Sequence, residues 1–499
     1  MGFGSAPIAL CPLRTRRNAL KRLLALLATG VSIVGLTALA GPPAQAMDGG
    51  KRCRDGTPQP PAPSEQVTPS AAASLRAAYD VEVSAPRLRN WAGNIAFRPR
   101  RYVQPRDLDE LVEIIRVSDQ VRVLGTGHSF NPIADTTGTL ISLDHLPREV
   151  RVMPGRTAVS AGTRYGDLAF PLHEAGWALA NVGSLPHISI AGACATATHG
   201  SGDRNGCLAT AVAGMTGVDG TCRVFHLTAE SPEFPGAVVH LGALGAVTEI
   251  ELVTEPTFTV RQWVYEDAPL DNVFADLDDV TSAAYSVSIF TTWDPPTARQ
   301  IWLKERVAAG RPDPPARRWG GRLAERDHNP VPGMPPENCT PQLGRIGPWH
   351  ERLPHFRLDV TPSAGDELQS EYFVPRAAAV EAYRALRHIG SRIAPVLQIS
   401  EIRTVAADEL WLSPAYHRPS VAFHFTWIAD EEAVRPVVSE VERALAPLQP
   451  RPHWGKLFTM DPAVVRAAYP RFDDFVALAE RYDPEGKFQN DFLRRFFAG

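Results

Sequence analysis

The amino-acid sequence predicts an α+β fold that is spread over more than one domain. The chain has 499 residues, which is more than one ordinary hydrophobic core accommodates. Hydrophobic residues make up 44% of the chain and charged residues 21%, as is typical of a globular protein in water. Short strand-like runs alternate with turns and brief stretches of helical spacing, which favours mixed α and β structure over a purely helical protein.

The first 46 residues predict an export signal rather than a folded domain. Arg16 and Arg17 precede an apolar stretch at 23–40, and "PAQA" ends at Ala46 as an A-x-A cleavage site. The alternative is a membrane anchor, since the apolar stretch approaches spanning length, but Thr, Ser, Gly and Ala residues dilute it. We therefore expect folded export by the twin-arginine machinery, a secreted or extracytoplasmic location, and no stable membrane association after cleavage.

The rest of the chain divides into four segments by composition and pattern. Residues 47–85 are rich in Pro, Ser and Ala and predict a linker. Residues 86–256 contain the strand-like runs "VRVLG", "TLISL", "VRVM" and "VTEIELV", with helical spacing in "RYGDLAFPLHEAG". Residues 257–450 form a second block, in which 308–348 is dense in Pro, Gly and Arg and predicts a long surface loop. Residues 451–499 form a C-terminal segment.

Charge and cysteine content exclude several classes of protein. The formal net charge is −4, and the basic first 46 residues lack acidic side chains, so the remainder is more acidic still. That balance argues against a nucleic-acid partner. The six cysteines contain no C-x-x-C pair, which argues against a zinc site or a redox dithiol, and we expect no metal. One disulfide among the cysteines that follow the signal is compatible with the sequence, which does not indicate the pair.

A glycine turn in "VLGTGHSFN" places His128 directly after a predicted strand. Glycines in such turns let backbone N–H groups approach a pyrophosphate. A Rossmann fingerprint would need glycine where Phe130 stands, and a hydrolase nucleophile elbow would need glycine where Asn131 stands. A single histidine in a turn is most often structural. The turn alone therefore does not predict a function.

A second stretch, "NVGSLPHISIAGACATATHGSG" at 181–202, combines glycines with Ser and Thr hydroxyls. Such a segment can lie close to a large ligand and donate hydrogen bonds to phosphate and ring atoms. Two segments of this kind within one predicted domain favour a dinucleotide bound in an extended conformation.

Several motifs together resemble one known family. "LGTGHSFN", "SLPHISIAGACATATHGSG" and "LGALGAVTEIEL" resemble the FAD-binding domain of the vanillyl-alcohol-oxidase-type flavoproteins. "SEIRTVAADELWLSPAY", "HFTW", "RPHWGKLF" and "DPEGKFQNDFL" resemble the sugar-alcohol and aldonolactone branch of that family, and among its members the bacterial alditol oxidases most. The resemblance extends from about residue 86 to the C-terminus.

The resemblance implies a fold and a cofactor. It implies a two-subdomain FAD-binding domain at 86–256, an α+β substrate-cap domain at 257–450 and a C-terminal segment, 451–499, that returns to the FAD domain. FAD is then covalently attached through His128, and Gly183 is the gate for oxygen. The other implied cofactor positions are Val123, Leu124, Gly125, Thr126, Gly127, Ser129, Ser184, Ser189, Gly192, Thr196, Ala197, Thr198, His199 and Val247.

The resemblance also implies a substrate site and a reaction. Arg403 and Lys456 are the implied catalytic residues, and the implied substrate positions are Ser184, Gln369, Glu401, Arg403, His424, Thr426 and Lys456. In a strand, residues two apart face one side, so Glu401 and Arg403 share a face, as do His424 and Thr426. The implied reaction transfers hydride from the terminal primary alcohol of a xylitol- or sorbitol-like polyol to FAD and then to O₂, giving the aldose and hydrogen peroxide.

Two alternatives stay open at this stage. One is an aldonolactone oxidase or dehydrogenase of the same branch. The other is a secreted carbohydrate-binding protein that has the fold without catalysis.

Overall fold

In the computed structural model, which describes residues 88–308, 310, 312–360 and 366–497, the strands form four sheets. The predicted signal at 1–46, the predicted linker at 47–85 and Cys53 lie outside the described residues. The strands are β1 (Arg101–Val103), β2 (Val121–Leu124), β3 (Thr139–Ser142), β4 (Val150–Met153), β5 (Arg156–Ser160), β6 (Trp177–Ala178), β7 (Val212–Val218), β8 (Val224–Thr228), β9 (Ala246–Val253), β10 (Glu255–Pro256), β11 (Thr259–Pro269), β12 (Ser286–Thr291), β13 (Thr297–Arg306), β14 (Arg317–Arg318), β15 (Gly321–Leu323), β16 (Gly347–Pro348), β17 (Glu367–Pro375), β18 (Leu397–Val405), β19 (Ser420–Ile428) and β20 (Arg451–Pro452).

Twelve α-helices lie among these strands in the described part of the chain. They are α1 (Leu108–Val117), α2 (Tyr165–Glu174), α3 (Ile190–Ala195), α4 (Phe234–Ala237), α5 (Leu270–Ala275), α6 (Leu277–Ser282), α7 (Ala379–His388), α8 (Gly390–Ile393), α9 (Glu431–Leu445), α10 (Pro462–Ala468), α11 (Phe472–Tyr482) and α12 (Asp491–Phe497). The mixture of helix and strand confirms the predicted α+β class.

Three of the sheets lie in the N-terminal half of the described chain, and the smallest of them pairs β6 with β10. The parallel sheet has the order β1-β3-β2, and α1 makes the crossover between β1 and β2. The Asp107 side chain accepts from the Glu110 N–H at 2.8 Å and so caps the start of α1. The apolar face of α1 packs on the sheet through Leu111, Ile114 and Ile115. The second sheet is antiparallel, in the order β4-β5-β9-β7-β8.

A ten-stranded sheet in the following part of the chain presents one face to the site. Its order is β14-β15-β11-β13-β12-β18-β19-β17-β20, with β16 paired to β11. The antiparallel register puts Glu401 and Glu371 on either side of His424, and Gln369 opposite Thr426. Because side chains alternate between the two faces of a strand, these polar side chains collect on one face.

The C-terminal segment contacts both halves of the described chain. β20 pairs with β17 in the large sheet, while the Val121 N–H of β2 donates to the Lys487 carbonyl at 2.7 Å. The Asn490 side chain donates to the Pro132 carbonyl at 3.0 Å. All described residues belong to one compact unit, so the boundaries predicted near 256 and 450 stay predictions.

The segment at 308–348 differs from its prediction as a surface loop. Its described part contains β14, β15 and β16, which extend the large sheet beside β11, and its Val331 and Cys339 are buried. The Pro- and Gly-rich composition prevents long helices and strands, but apolar residues within the segment still pack against the sheet.

Two of the sequence expectations concern cysteines and membranes. Cys194, Cys207, Cys222 and Cys339 are the cysteines of the described residues, and each carries a free thiol. A disulfide within this set is therefore absent. No helix in the described ranges is both long and apolar enough to cross a bilayer.

Candidate active site

One continuous cavity joins the glycine turn after β2 to the polar face of β17, β18 and β19. Of the cofactor positions predicted from the sequence, all but Ala197 line this cavity; Ala197 is buried in the core behind it. Gly183 and all seven predicted substrate positions line it as well. The cavity therefore brings together residues from segments more than 300 positions apart in the chain, since it contains both Val123 and Lys456.

His128 lies in this cavity with its ring held by stacking. The Trp91 ring lies parallel to the imidazole, with centroids 5.4 Å apart and an interplanar angle of 15°. Both ring nitrogens are shielded from water, and neither has a well-aligned hydrogen-bond partner among the described residues. Burial, with smaller contributions from neighbouring His187 and Arg164, lowers the pKa of His128 to about 4. The imidazole is therefore neutral near pH 7 and keeps a nucleophilic lone pair.

The glycine turn leaves room that a side chain would fill. Gly127 has φ +68°, which favours glycine, and the Cβ of any residue at Gly125 would lie 2.5 Å from Ser189 Oγ. The Ser189 N–H donates to Thr126 Oγ1 at 3.1 Å and holds the second Gly/Ser segment against the turn. An imidazole whose two nitrogens are shielded from water and lack well-aligned hydrogen bonds, beside such a cradle, fits a large planar cofactor with a polar tail.

Glu371 is the centre of the polar cluster at the other end of the cavity. Its Oε1 accepts from Arg403 Nη2 at 2.8 Å and from His199 Nε2 at 3.0 Å, and its Oε2 accepts from Lys456 Nζ at 2.7 Å. Burial by itself would raise the pKa of Glu371, but the interactions with Lys456, His199 and Arg403 outweigh that effect and hold the pKa well below its usual range. Glu371 is therefore an ionised carboxylate that fixes both predicted catalytic cations.

Glu401 is a second buried carboxylate beside the same cations. Its Oε1 accepts from His355 Nε2 at 2.8 Å and lies 3.6 Å from Arg403 Nε. Burial opposes ionisation, yet Arg403 and His355 lower the pKa of Glu401 overall. For Arg403, burial is outweighed by the two carboxylates, which raise its pKa. The negative charges of Glu371 and Glu401 therefore balance the positive charges of Arg403 and Lys456 inside the cavity.

Lys456 begins a short chain of hydrogen bonds. Its Nζ lies 2.7 Å from His424 Nδ1, and His424 Nε2 lies 3.1 Å from Thr426 Oγ1. Burial, followed by the charge of Lys456, lowers the pKa of His424 to about 4, so the ring is neutral and its Nδ1 accepts from the ammonium. Burial also lowers the pKa of Lys456, against the opposing effect of Glu371.

Ser184 and Gln369 complete the predicted substrate set. Arg403 Nη1 donates to Ser184 Oγ at 3.3 Å, so the hydroxyl lies beside the guanidinium. The Gln369 side chain donates to Glu367 and borders the cavity two residues before Glu371. At Gly183, an added Cβ would meet only ordinary contacts, at 3.7 Å from Ile188 Cδ1 and 3.8 Å from Leu208 Cδ1.

Three cavity residues that sequence reasoning missed are Glu371, His355 and His453. Glu371 carried a usable signal, because it stands two residues after Gln369 on a strand and must share its face. His355 lies in an irregular segment without periodicity, so its position carried no local signal, whereas His453 stands within the motif "RPHWGKLF", which carried one.

Comparison with known proteins identifies the family to which this site belongs. Residues 99–228 match the FAD-binding domain family, and residues 366–496 match the D-arabinono-1,4-lactone oxidase family. The alditol oxidase of Streptomyces sp. (strain IKD472) is 49% identical over 415 residues, which cover 82% of this chain and 99% of that protein. The L-gulono-1,4-lactone dehydrogenase of Mycobacterium tuberculosis is 28% identical over 434 residues, again 82% of this chain and 99% of that protein.

Among solved structures, a cholesterol oxidase from B. sterolicum superposes with a TM-score of 0.67 at 15% identity, covering 82% of this chain and 96% of the other. At that identity the likeness shows the fold alone. The 49% identity over nearly the whole length of the Streptomyces relative shows the family as well as the fold. The chain belongs to the alditol oxidases of the vanillyl-alcohol-oxidase-type FAD flavoproteins.

Proposed function

We propose that the protein oxidises the terminal primary alcohol of an alditol, with xylitol and sorbitol as model substrates, and passes the electrons to O₂. The products are the aldose and hydrogen peroxide. The observation that carries the proposal is the continuous cavity, which joins the turn of His128 to the charged cluster of Glu371, Glu401, Arg403 and Lys456. A polyol needs many polar partners, and this end of the cavity supplies acceptors and donors in a confined space.

The cofactor in this proposal is FAD, covalently attached through His128. When bound, FAD supplies the acceptor for the hydride that leaves the alcohol carbon. The neutral imidazole of His128 keeps a lone pair for the covalent bond, and stacking on Trp91 sets the plane of the ring. Ser189, Gly192 and Thr198 line the cavity beyond the turn and are available to the polar tail of the cofactor.

The substrate hydroxyl in this proposal lies between Arg403 and Lys456. As hydride departs from carbon, the hydroxyl proton passes to a water molecule held by Arg403, and the cations of Arg403 and Lys456 stabilise the negative charge that develops on the oxygen. A Lys456 ammonium that donates to Glu371 and His424 retains one hydrogen for the substrate oxygen. Glu401 faces the same space as an acceptor for a second hydroxyl of the polyol.

The test uses the purified yellow protein. We expect anaerobic xylitol to bleach the flavin absorbance, and air to restore it with one peroxide formed per aldose. The His128→Ala variant should lose its flavin on acid precipitation, whereas the wild-type precipitate stays yellow. Bleaching by an aldonolactone but not by xylitol would instead favour a lactone enzyme, and no bleaching by either would favour a binding protein.

We further propose that the chain is exported in its folded state by the twin-arginine machinery. Arg16 and Arg17 ahead of the apolar stretch at 23–40 support this proposal. Replacement of both arginines by lysine is expected to leave active, flavin-containing protein inside the cell. Continued secretion of that variant would contradict the proposed route.

A further inference from the structure

A buried lysine that the proposed reaction does not use lies behind the substrate site. Lys304, near the C-terminal end of β13, is 1% exposed. Its Nζ donates to the Leu353 carbonyl, to the Pro354 carbonyl at 3.0 Å and to His355 Nδ1 at 2.8 Å. The Trp302 ring also lies under the same nitrogen, 5.7 Å from ring centroid to Nζ. Burying a lysine is costly, so a lysine that serves only packing is not expected at this position.

Counting donors fixes the protonation of this cluster. A charged lysine has three N–H donors and no acceptor, whereas a neutral amine has only two hydrogens. Burial lowers the pKa of His355 to about 4, so the ring is neutral near pH 7, and its one N–H is on Nε2, which lies 2.8 Å from the ionised Glu401. Nδ1 is therefore an acceptor beside the two carbonyls, and only the ammonium of Lys304 donates to all three. Burial lowers the pKa of Lys304 to about 7, and the charge of Glu401 opposes that effect.

The Nε2–H of His355 donates a hydrogen bond to Glu401. Nε2 lies 2.8 Å from Glu401 Oε1, while the Ser288 hydroxyl is farther away, at 3.4 Å. Phe290 and Trp302 fix the plane of the imidazole by edge contacts, with centroids 5.6 and 5.1 Å away. The His355–Glu401 hydrogen bond is shorter than the Glu401–Arg403 Nε distance of 3.6 Å, which is too long for a hydrogen bond.

The same turn also holds Ser184. The backbone N–H groups of His355 and Phe356 both donate to the Ser184 carbonyl, at 3.1 and 3.3 Å. Arg403 contacts both Ser184, through Nη1 at 3.3 Å, and Glu401, through Nε at 3.6 Å. One segment, anchored by Lys304, therefore sets the positions of two groups that face the proposed substrate.

We propose that His355 is a positioning residue of the alditol site, and that the Lys304 ammonium holds it in the Nε2–H tautomer that presents Glu401 as an ionised acceptor. The inference rests on the proposed function for its substrate. Without the His355 donor, Glu401 is free to turn toward Arg403, and the carboxylate loses a partner that favours its charged form.

Steady-state kinetics on the flavin-loaded protein test the proposal. We expect His355→Leu to raise KM for xylitol by about 10-fold or more with a smaller change in kcat, because the lost hydrogen bond orients a binding group. His355→Gln places an amide donor near the Nε2 position and should stay within about threefold of wild type. Lys304→Met should act in the same direction as His355→Leu.

The pH profile gives a readout that a structural defect alone does not produce. The ionisable groups that face Glu401 are His355, Arg403, His424, Lys304 and Lys456. The acidic limb of kcat/KM should move to higher pH in His355→Leu and return in His355→Gln. Tyr372→Phe, which removes a buried hydroxyl bonded to Glu442 on the opposite face of β17, is the matched control and should leave KM unchanged.

Three outcomes would overturn the proposal. A flavin-loaded His355→Leu enzyme with KM within threefold of wild type would show that Glu401 does not need the donor. Equal impairment of His355→Gln would show that only the shape of the imidazole matters. A neutron structure of the wild-type holoenzyme decides the tautomer without any variant, and independently of the substrate: we expect three deuterons on Lys304 Nζ and one on His355 Nε2, and a deuteron on His355 Nδ1 would contradict the proposal.

Discussion

At the scale of single residues, the site depends on two cations that share one buried carboxylate. Glu371 accepts from both Arg403 and Lys456, so one carboxylate holds both cations. A buried pair is strongly sensitive to the loss of one member, because the other charge is then left without compensation. Here three donors surround Glu371, so the loss of one cation still leaves the carboxylate with two partners.

Replacing either cation should therefore slow the chemistry while the fold survives. With xylitol at saturating concentration and no oxygen, we expect Arg403→Met or Lys456→Met to reduce the rate of flavin reduction roughly 10²-fold or more. The reason is that each cation stabilises the negative charge that develops on the substrate oxygen only as hydride leaves. Gln369→Ala serves as the comparison and should mainly raise the xylitol concentration needed for half-maximal reduction. A Met variant that retains its flavin and is reduced at the wild-type rate would exclude a catalytic role for that residue.

Gly183 supports a second prediction at this scale. An alanine Cβ fits there at ordinary contact distances, so Gly183→Ala should fold normally while it narrows the cavity wall. Stopped-flow mixing of the reduced enzyme with O₂ should then show slower reoxidation, whereas anaerobic reduction by xylitol serves as the internal control and should not change. If both rates change together, or neither changes, Gly183 is not the gate for oxygen.

At the scale of elements, the cofactor turn and the Lys456 segment are joined directly. The Phe130 N–H donates to the Gly455 carbonyl at 2.7 Å. The Asn131 side chain donates to the carbonyls of Trp454 and Lys456 at 2.7 and 2.8 Å. Asn131, which breaks the hydrolase elbow pattern in the sequence, therefore fixes the position of Lys456 relative to His128.

Asn131→Ala tests this junction. Loss of two buried hydrogen bonds should lower stability by about 1–3 kcal/mol and also slow flavin reduction, because Lys456 is no longer held in place. Asn94→Ala is the matched control: Asn94 donates to the neighbouring Phe130 carbonyl at 3.0 Å but does not contact the Lys456 segment. We expect the control to lower the unfolding temperature with little effect on reduction. Equal rates of flavin reduction in Asn131→Ala and wild type would show that Asn131 is not needed to position Lys456.

At the scale of the whole molecule, buried neutral histidines predict sensitivity to acid. Burial lowers the pKa values of His240, His355 and His424 to about 4. An unfolded chain binds protons at these positions from about pH 6.5 downward, whereas the folded protein does not until about pH 4. Their contribution to stability is therefore complete above about pH 6.5 and is lost as the pH falls toward 4.

Thermal unfolding measured between about pH 7 and pH 4 should show this loss. Each such histidine adds a slope of about 1.4 kcal/mol of unfolding free energy per pH unit near pH 5. His240→Gln should reduce the proton uptake on unfolding by about one near pH 5. An unfolding temperature that stays constant over this interval, or an unchanged slope in the variant, would show that these rings are protonated in the folded state.

The sequence by itself determined those features of the protein that depend on residues close together in the chain. The alternation on β18 and β19 predicted that Glu401 shares a face with Arg403, and His424 with Thr426, and the structure places all four on the cavity. The strand predicted in "VRVM" is β4, residue for residue. The motifs also predicted the flavoprotein family, since a cofactor turn and its flanking strand are contiguous in the chain.

Only the tertiary structure decided which distant groups meet. Glu371 and Lys456 are 85 positions apart in the chain, and Lys304 and His355 are 51 apart, yet the side chains of each pair are hydrogen-bonded. Sheet register and an irregular turn bring these pairs together, and neither produces a periodic pattern in the sequence. The lowered pKa values of His128 and His424 likewise require burial, which depends on every element packed around the ring. A periodic sequence pattern depends on residues that are neighbours along the chain. The hydrogen-bond partners of a side chain and its burial depend on residues that are neighbours in space.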